Sequence, residues 1–381
     1  MAARIPEPDA QALAVSHQLA ERIREELDAA DGWMSFERYM QRALYEPGLG
    51  YYSGGSTKLG AAGDFVTAPE LSPVFGQVLA REIQPVLEAA NAPIILELGA
   101  GTGRLAECIL AALDDDVSRR LEYQILEPSA DLAQRQRLRL ASVGDRVRWL
   151  AQLPVDPFEG VILANEVLDA FPVTRFVKRA GHARSLGVGL ERGAFVWAEG
   201  PADPELGAEV EALEARLGYV LPEGFRSELS RSLPPWIASL SDCLARGALL
   251  VVDYGLVRHE YYHLSRFEGT LVCHYRHRAH TDPFLFPGLQ DISAWVDFSA
   301  CAQAATDAGL VIAGFTTQGH FLLEGGATDF LQRSSGRVNA EQTQAFKTLV
   351  LPGEMGERFK VLLLTCGITR TLPGRDFRDR L

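Results

Sequence analysis

The sequence predicts an α/β fold built on a doubly wound sheet, and three features carry that expectation. Short apolar runs alternate with helical stretches from Pro93 onward, the first of them runs into a glycine-rich loop, and the next ends on an acidic residue. The runs are Ile94 to Leu98, Leu121 to Leu126, Val147 to Leu150, Val161 to Ala164, Ala248 to Val252, Leu310 to Phe315 and Phe359 to Thr365. Each has strand length, and none approaches the roughly 18 residues of a membrane span. Strands separated by helices read as parallel strands joined by crossovers.

The stretch ahead of this sheet, residues 1–90, reads as a helical N-terminal region with a covering loop. Leu13, Ala14, Leu19, Ala20, Ile23 and Leu27 recur at a helical period, and Ser35 to Leu44 gives a second short helix. From Pro47 to Pro69 the chain is dense in glycine, proline and aromatics, too long for a plain connector, and is expected to be an ordered loop over a site. Residues 91–381 form the sheet domain. Within it, Thr174 to Trp197 alternates as strands do and is followed by a charged helix, Pro204 to Leu217, and a passage ending at Pro234 and Pro235. Residues 174–235 therefore read as an insertion before the fifth strand.

Composition narrows the function classes. The 381 residues are 47% hydrophobic and 23% charged, ordinary for a folded chain. With 37 Lys and Arg against 50 Asp and Glu, the net charge is −13, which disfavours nucleic acid, since phosphate binding needs cations. Membrane insertion is not expected. Cys108, Cys243, Cys273, Cys301 and Cys366 form no CxxC pair, and the first 30 residues are too acidic for a transit peptide. Both point to a reducing compartment, and the expected location is cytoplasmic.

The chemistry concentrates at the glycine loop. Ile94-Ile95-Leu96-Glu97-Leu98-Gly99-Ala100-Gly101-Thr102-Gly103 is an apolar strand entering glycines at alternate positions, and Leu105, Ile109 and Leu113 then share one helical face. Glycine permits the tight turn and close ligand approach, and the helix start offers free N–H groups. A dinucleotide site would show GxGxxG spacing, which disfavours a nicotinamide dehydrogenase. GxGxG behind the acidic Glu97 suits a phosphate-free ligand with a cationic head, S-adenosylmethionine. Twenty-four residues beyond Gly103, Glu127 ends the next strand, where a carboxylate accepts hydrogen bonds from both ribose hydroxyls of an adenosine. Asn165, Glu166 and Asp169 follow the fourth apolar run, at the carboxyl edge where ligands of open α/β sheets bind. On a helical turn Glu166 and Asp169 share a face; an ordinary acidic helix start is the alternative.

These segments resemble the MidA family of class I methyltransferases. The resemblance runs through Tyr45 to Tyr52, Gly63-Asp64-Phe65-Val66-Thr67-Ala68-Pro69-Glu70-Leu71-Ser72, the glycine loop, and Asn165-Glu166 to Asp169. It continues through Val252-Asp253-Tyr254-Gly255, Tyr275-Arg276-His277-Arg278-Ala279-His280, Asp291 to Phe298 and Gly356 to Val361. It implies a Rossmann-like seven-stranded core and S-adenosylmethionine as cofactor. The family's eukaryotic members are complex I assembly factors with protein arginine methyltransferase activity. The implied function is therefore arginine N-methylation of a protein partner such as a respiratory-complex subunit.

On this reading Asp64, Phe65 and Thr67 close over the cofactor, and Glu97, Gly99, Gly101, Gly103, Glu127 and Asn165 bind it. Glu166, supported by Asp169, pairs with the guanidinium, while His277 and His280 orient the substrate channel. Small-molecule or carboxyl methylation and a non-catalytic assembly factor would use the same core. His259-Glu260-Tyr261-Tyr262-His263 is a literal HExxH, which on a helix would place two zinc ligands on one face. No metal is expected there, and a zinc hydrolase is the remote alternative.

Overall fold

All seven apolar runs form strands of one sheet. The structure is a computed structural model that describes residues 5–54, 67–335 and 339–381. The chain divides into two units, one comprising Val66–Asp169, Leu233–Val257 and Val296–Leu381, the other Met1–Phe65, Ala170–Ser232 and Arg258–Trp295.

The sheet belongs to the first of these units. Its strands are β1 (Ile94–Leu98), β2 (Glu122–Leu126), β3 (Val147–Leu150), β4 (Phe158–Asn165), β5 (Leu244–Leu256), β6 (Val311–Thr317) and β7 (Phe359–Cys366). Their spatial order is β6-β7-β5-β4-β1-β2-β3, and the two-residue strand Val296–Asp297 pairs beside the end of β5. β3, β2, β1, β4 and β5 are parallel neighbours. β7 differs from the all-parallel expectation: it is antiparallel to both β5 and β6. The helices between β6 and β7 return the chain to the edge where β6 ends, so Thr317 pairs with Lys360 and β7 must run back.

Burial explains why these strands were legible. Ile95, Tyr123, Ile125, Val161, Leu163, Leu250, Val252, Val361 and Leu363 join one core with Val74 to Leu87 and with Leu105 and Ile109 of the flanking helices. Strands covered on both faces read as continuous apolar runs, whereas one wet face would have produced alternation. The winding direction reverses between β1 and β4. Loops leaving their carboxyl ends therefore diverge there and leave room for a ligand.

In the other unit, helix Ala10–Ala29 starts where the Asp9 carboxylate accepts the Ala12 N–H at 2.8 Å, and helix Phe36–Tyr45 starts on Ser35. Leu19, Ile23 and Leu27 of the first helix pack with Phe36, Tyr39 and Met40 of the second. The alternating 174–197 segment folds into antiparallel strands Thr174–Arg179, His182–Glu191 and Ala194–Glu199, extended by Arg226–Leu229. A separate small sheet pairs Val272–Tyr275 with Arg278–His280 and with Asp291–Ser293.

Backbone approach in the main sheet is tightest at Gly160. A Cβ there would lie 1.9 Å from the Ile94 carbonyl oxygen, and one on Gly247 would lie 1.9 Å from that of Gly160. Neither obstacle is a side chain that can swing away. Gly160→Ala is accordingly expected to lower the unfolding free energy by about 3 kcal/mol, the upper range for overpacking, in urea titrations.

Candidate active site

The carboxyl ends of β1, β2, β4 and β5 bring the candidate residues together. The loop after β1 is anchored by the Gly99 N–H, which donates to the Leu126 carbonyl at 2.9 Å. Gly99, Gly101 and Gly103 have φ of 60°, 54° and 80°, a left-handed backbone that side-chain-bearing residues rarely adopt. A Cβ on Gly103 would press on Gln136 at 3.3 Å. Helix Arg104–Ala112 follows Gly103, which makes no side-chain cap, and the Arg104 N–H donates instead to the Thr102 hydroxyl at 3.3 Å.

Glu97 lies inside the sheet, where its Oε2 accepts the Tyr123 hydroxyl at 2.7 Å. Burial raises its pKa to about 7; the Tyr123 bond pulls it down and the Glu127 charge adds to the rise. Glu127 accepts the Ser129 N–H at 3.0 Å and the Gln136 amide at 2.9 Å, and its pKa is also raised by burial against those bonds. The same Gln136 amide donates to the Gly101 carbonyl at 2.9 Å, while its oxygen accepts the Trp149 indole at 2.9 Å. Gln136 is fully buried and joins the glycine loop to the acidic strand end. It was missed in the sequence because it sits in a polar helical run, Ala130–Arg139, with no motif around it.

The segment after β4 corrects one expectation. Glu166 to Ala170 is a bend and turn, so Glu166 and Asp169 do not share a helical face. Glu166 has φ 54°, and its N–H donates to the Val252 carbonyl at 2.8 Å. Such a conformation costs on the order of 1–3 kcal/mol and needs the surroundings to hold it. The surroundings include Asp253, fully buried, whose Oδ2 accepts the N–H groups of Val167, Leu168 and Asp169 at 3.2, 2.9 and 3.3 Å. Burial first, then the charges of Asp169 and Glu166, push the Asp253 pKa well above the usual carboxylate range. A helix start was expected where a buried carboxylate from the next strand organises the turn instead.

Glu166 Oε1 accepts the Ala68 N–H at 3.3 Å and the Asn165 amide at 3.4 Å. Ala68 opens the short helix Ala68–Leu71, for which Thr67 is the capping position. Its Glu70 accepts the Thr102 hydroxyl of the glycine loop. Asp64 and Phe65, with most of the expected covering loop, lie outside the described residues. The side-chain Oδ1 of Asn165 is buried without a hydrogen-bond partner and is suited to a ligand donor.

Residues 78–316 match the family described as S-adenosyl-L-methionine-dependent methyltransferase. The chain belongs to that family. It is similar to a crystal structure from Burkholderia thailandensis bound to S-adenosyl-homocysteine, with 43% identity, a TM-score of 0.91 and coverage of 98% of this chain and 99% of that one. The protein is thus a methyltransferase that uses S-adenosylmethionine. The Drosophila melanogaster relative named "Protein arginine methyltransferase NDUFAF7 homolog, mitochondrial" is 27% identical over 95% of this chain and 88% of its own. The human protein arginine methyltransferase NDUFAF7, also named mitochondrial, is 27% identical over 87% of this chain and 80% of its own. These names overturn the cytoplasmic placement, which rested on the scattered cysteines and on the acidic first 30 residues.

His277, His280 and the HExxH segment lie in the other unit. His277 is exposed at the turn between Val272–Tyr275 and Arg278–His280, with φ 60°. His280 is half-buried; its Nδ1 accepts the Asp282 N–H at 3.3 Å, and burial lowers its pKa. The HExxH segment does not form a helix that carries both histidines. Helix Arg258–Tyr261 ends before His263, whose Nδ1 bonds the Ser265 hydroxyl at 2.8 Å. Among the described residues no group of three or more His, Cys, Asp and Glu is gathered as a metal site, and no helix is long and apolar enough to cross a membrane.

Glu127→Ala and Gln136→Leu should each weaken S-adenosyl-homocysteine binding by about 1–3 kcal/mol in calorimetric titrations, as expected for lost charge-assisted hydrogen bonds and a lost loop tether. For Glu97, the folded pKa of about 7 exceeds the ordinary 4.5. Its stability contribution is therefore intact below about pH 4.5 and lost as pH rises through about 7, an effect of roughly 3 kcal/mol. Glu97→Gln should match the wild type in urea unfolding at pH 4.5 and exceed it at pH 8.

Proposed function

We propose that this methyltransferase methylates arginine side chains of a protein partner, with Glu166 as the residue that pairs with the guanidinium. The convergence of Glu166, Asp169 and buried Asp253 at the ends of β4 and β5 carries the reading. Burial first, and then the charges of Asp169 and Glu166, raise the Asp253 pKa, and an entering guanidinium would relieve the repulsion. The names of the curated relatives as protein arginine methyltransferases support the same acceptor. A respiratory-complex subunit is the partner we favour, on the MidA resemblance.

S-adenosylmethionine supplies an electrophilic methyl group on a sulfonium. Glu127 is assigned to the ribose hydroxyls, the Gly99 to Gly103 backbone to close ligand approach, and Glu97, Asn165 and Thr67 to the remaining polar edge. Asp64 and Phe65 retain their proposed covering role. The orphaned Asn165 oxygen and the left-handed glycines support this fit. Arginine is a poor nucleophile because its charge is delocalised and its pKa exceeds 12. Glu166 would hold two guanidinium nitrogens, keep the positive charge on them, and favour a lone pair on the third. Asp169 would add negative potential beside it. His277 and His280 keep their assignment to acceptor binding on the resemblance.

Glu166→Gln is expected to retain S-adenosyl-homocysteine affinity and to lose labelled-methyl transfer by at least about 100-fold, since it removes charge at the reacting group. Hydrolysed acceptor protein should contain methylarginine; label recovered as base-labile methyl ester would mean carboxyl methylation instead.

A further inference from the structure

We infer that Asp253 is the positioning residue of this active site: through the backbone of Val167 to Asp169 it sets the turn that aims the Glu166 carboxylate. The inference rests on the proposed role of Glu166. Its basis is geometric. β4 and β5 pair in register up to Asn165 and Val252, so Asp253 is the next residue on β5 and sits where the chain leaves β4. One oxygen of its carboxylate accepts three consecutive N–H groups, at 3.2, 2.9 and 3.3 Å, and the other accepts the Tyr254 N–H at 2.9 Å.

Three successive amides converging on one oxygen curl the backbone around that point. Immediately before the curl stands Glu166, in a left-handed conformation and tied to the Val252 carbonyl at 2.8 Å. The two tethers grip the same turn from adjacent residues of β5. Together they leave Glu166 Oε1 at the Ala68 N–H, 3.3 Å away. Without the Oδ2 contacts three amides, two of them buried, lose their acceptor, and the turn can relax toward the ordinary right-handed backbone. That relaxation would swing Glu166 away from its present direction. An apolar residue would fill the space of Asp253 at less electrostatic cost, so its burial beside Asp169 and Glu166 is explained by what it holds.

The test uses the full chain with S-adenosyl-homocysteine bound, comparing D253A, D253N, E166Q and the double variant D253A/E166Q. In D253A, amide hydrogen exchange of residues 166–169 should rise at least about tenfold while that of β1 and β2 is unchanged, the pattern of local opening. D253N keeps an oxygen acceptor and should restore protection to within about threefold. The methyl-transfer rate at saturating cofactor should fall about 30-fold or more in D253A, with S-adenosyl-homocysteine affinity nearly unchanged, as expected for misaimed rather than missing groups. In the double variant D253A should cost nothing beyond E166Q, because the two changes act on one element.

Unchanged exchange at 167–169 in D253A overturns the inference. So does a D253A rate loss of the same factor with and without E166Q. If D253A does not fold, D253S, whose hydroxyl falls short of the turn, carries the same expectations. A wild-type rate in E166Q would instead remove Glu166 from the reaction, and the exchange result would still decide whether Asp253 holds the turn.

Discussion

A single buried carboxylate against three backbone amides organises the edge of the sheet on which everything chemical depends. The parallel register of β4 and β5 puts Asp253 one residue beyond the last pair, directly beneath the chain leaving β4. Burying a carboxylate is costly, and hydrogen bonds to a charged acceptor return about 1.5–3 kcal/mol each. Four N–H groups converge on Asp253, counting that of Tyr254, so the turn and the charge stabilise one another. Without Asp253 the amides would lack this acceptor, and without the amides nothing in the turn would oppose the burial that raises its pKa. A sheet register is thereby converted into the direction of a side chain.

The glycine loop at the end of β1 follows the same logic with opposite polarity. Left-handed Gly99, Gly101 and Gly103 leave carbonyls and amides at angles no regular element provides, and Gln136 takes up the Gly101 carbonyl. Because that amide also serves Glu127, the loop and the acidic end of β2 are tied to one side chain. Trp149 on β3 fixes the remaining Gln136 oxygen and so ties the arrangement into the sheet. The glycine loop and Glu127 are thus held by contacts from three parallel strands and a helix.

Much of this was legible because it is written in apolar runs and in glycine. The seven strands needed only their continuous burial, and Gly99 to Gly103 and Glu127 announced themselves by spacing. The direction of β7 was not legible, since an antiparallel strand buried on both faces has the same run as a parallel one. Gln136 and Asp253 were invisible as organisers for a related reason. Their importance lies in hydrogen bonds to residues 35 and 84–86 positions away, which no local pattern records. The turn at Glu166 was read as helical because acids are frequent at helix starts; only a tertiary contact imposes φ 54°. His259 and His263, the remote zinc alternative, are not carried on one helix, because the helix ends at Tyr261 within the motif.

The cluster of acids bears on which acceptor the proposed chemistry can take. Folding has already stripped water from Asp253 and placed it near Asp169 and Glu166, as its raised pKa records. That arrangement is destabilising in itself, and functional sites commonly hold such destabilisation for later use. An incoming guanidinium meets charges whose desolvation was borne during folding, so more of its Coulomb attraction survives as binding and orientation. A carboxyl acceptor would bring another negative charge to the same place and raise every pKa further. A neutral small acceptor would gain nothing from the cluster while the fold still bore its cost. The electrostatics of the turn are therefore better matched to the proposed cationic acceptor than to a carboxyl or neutral one.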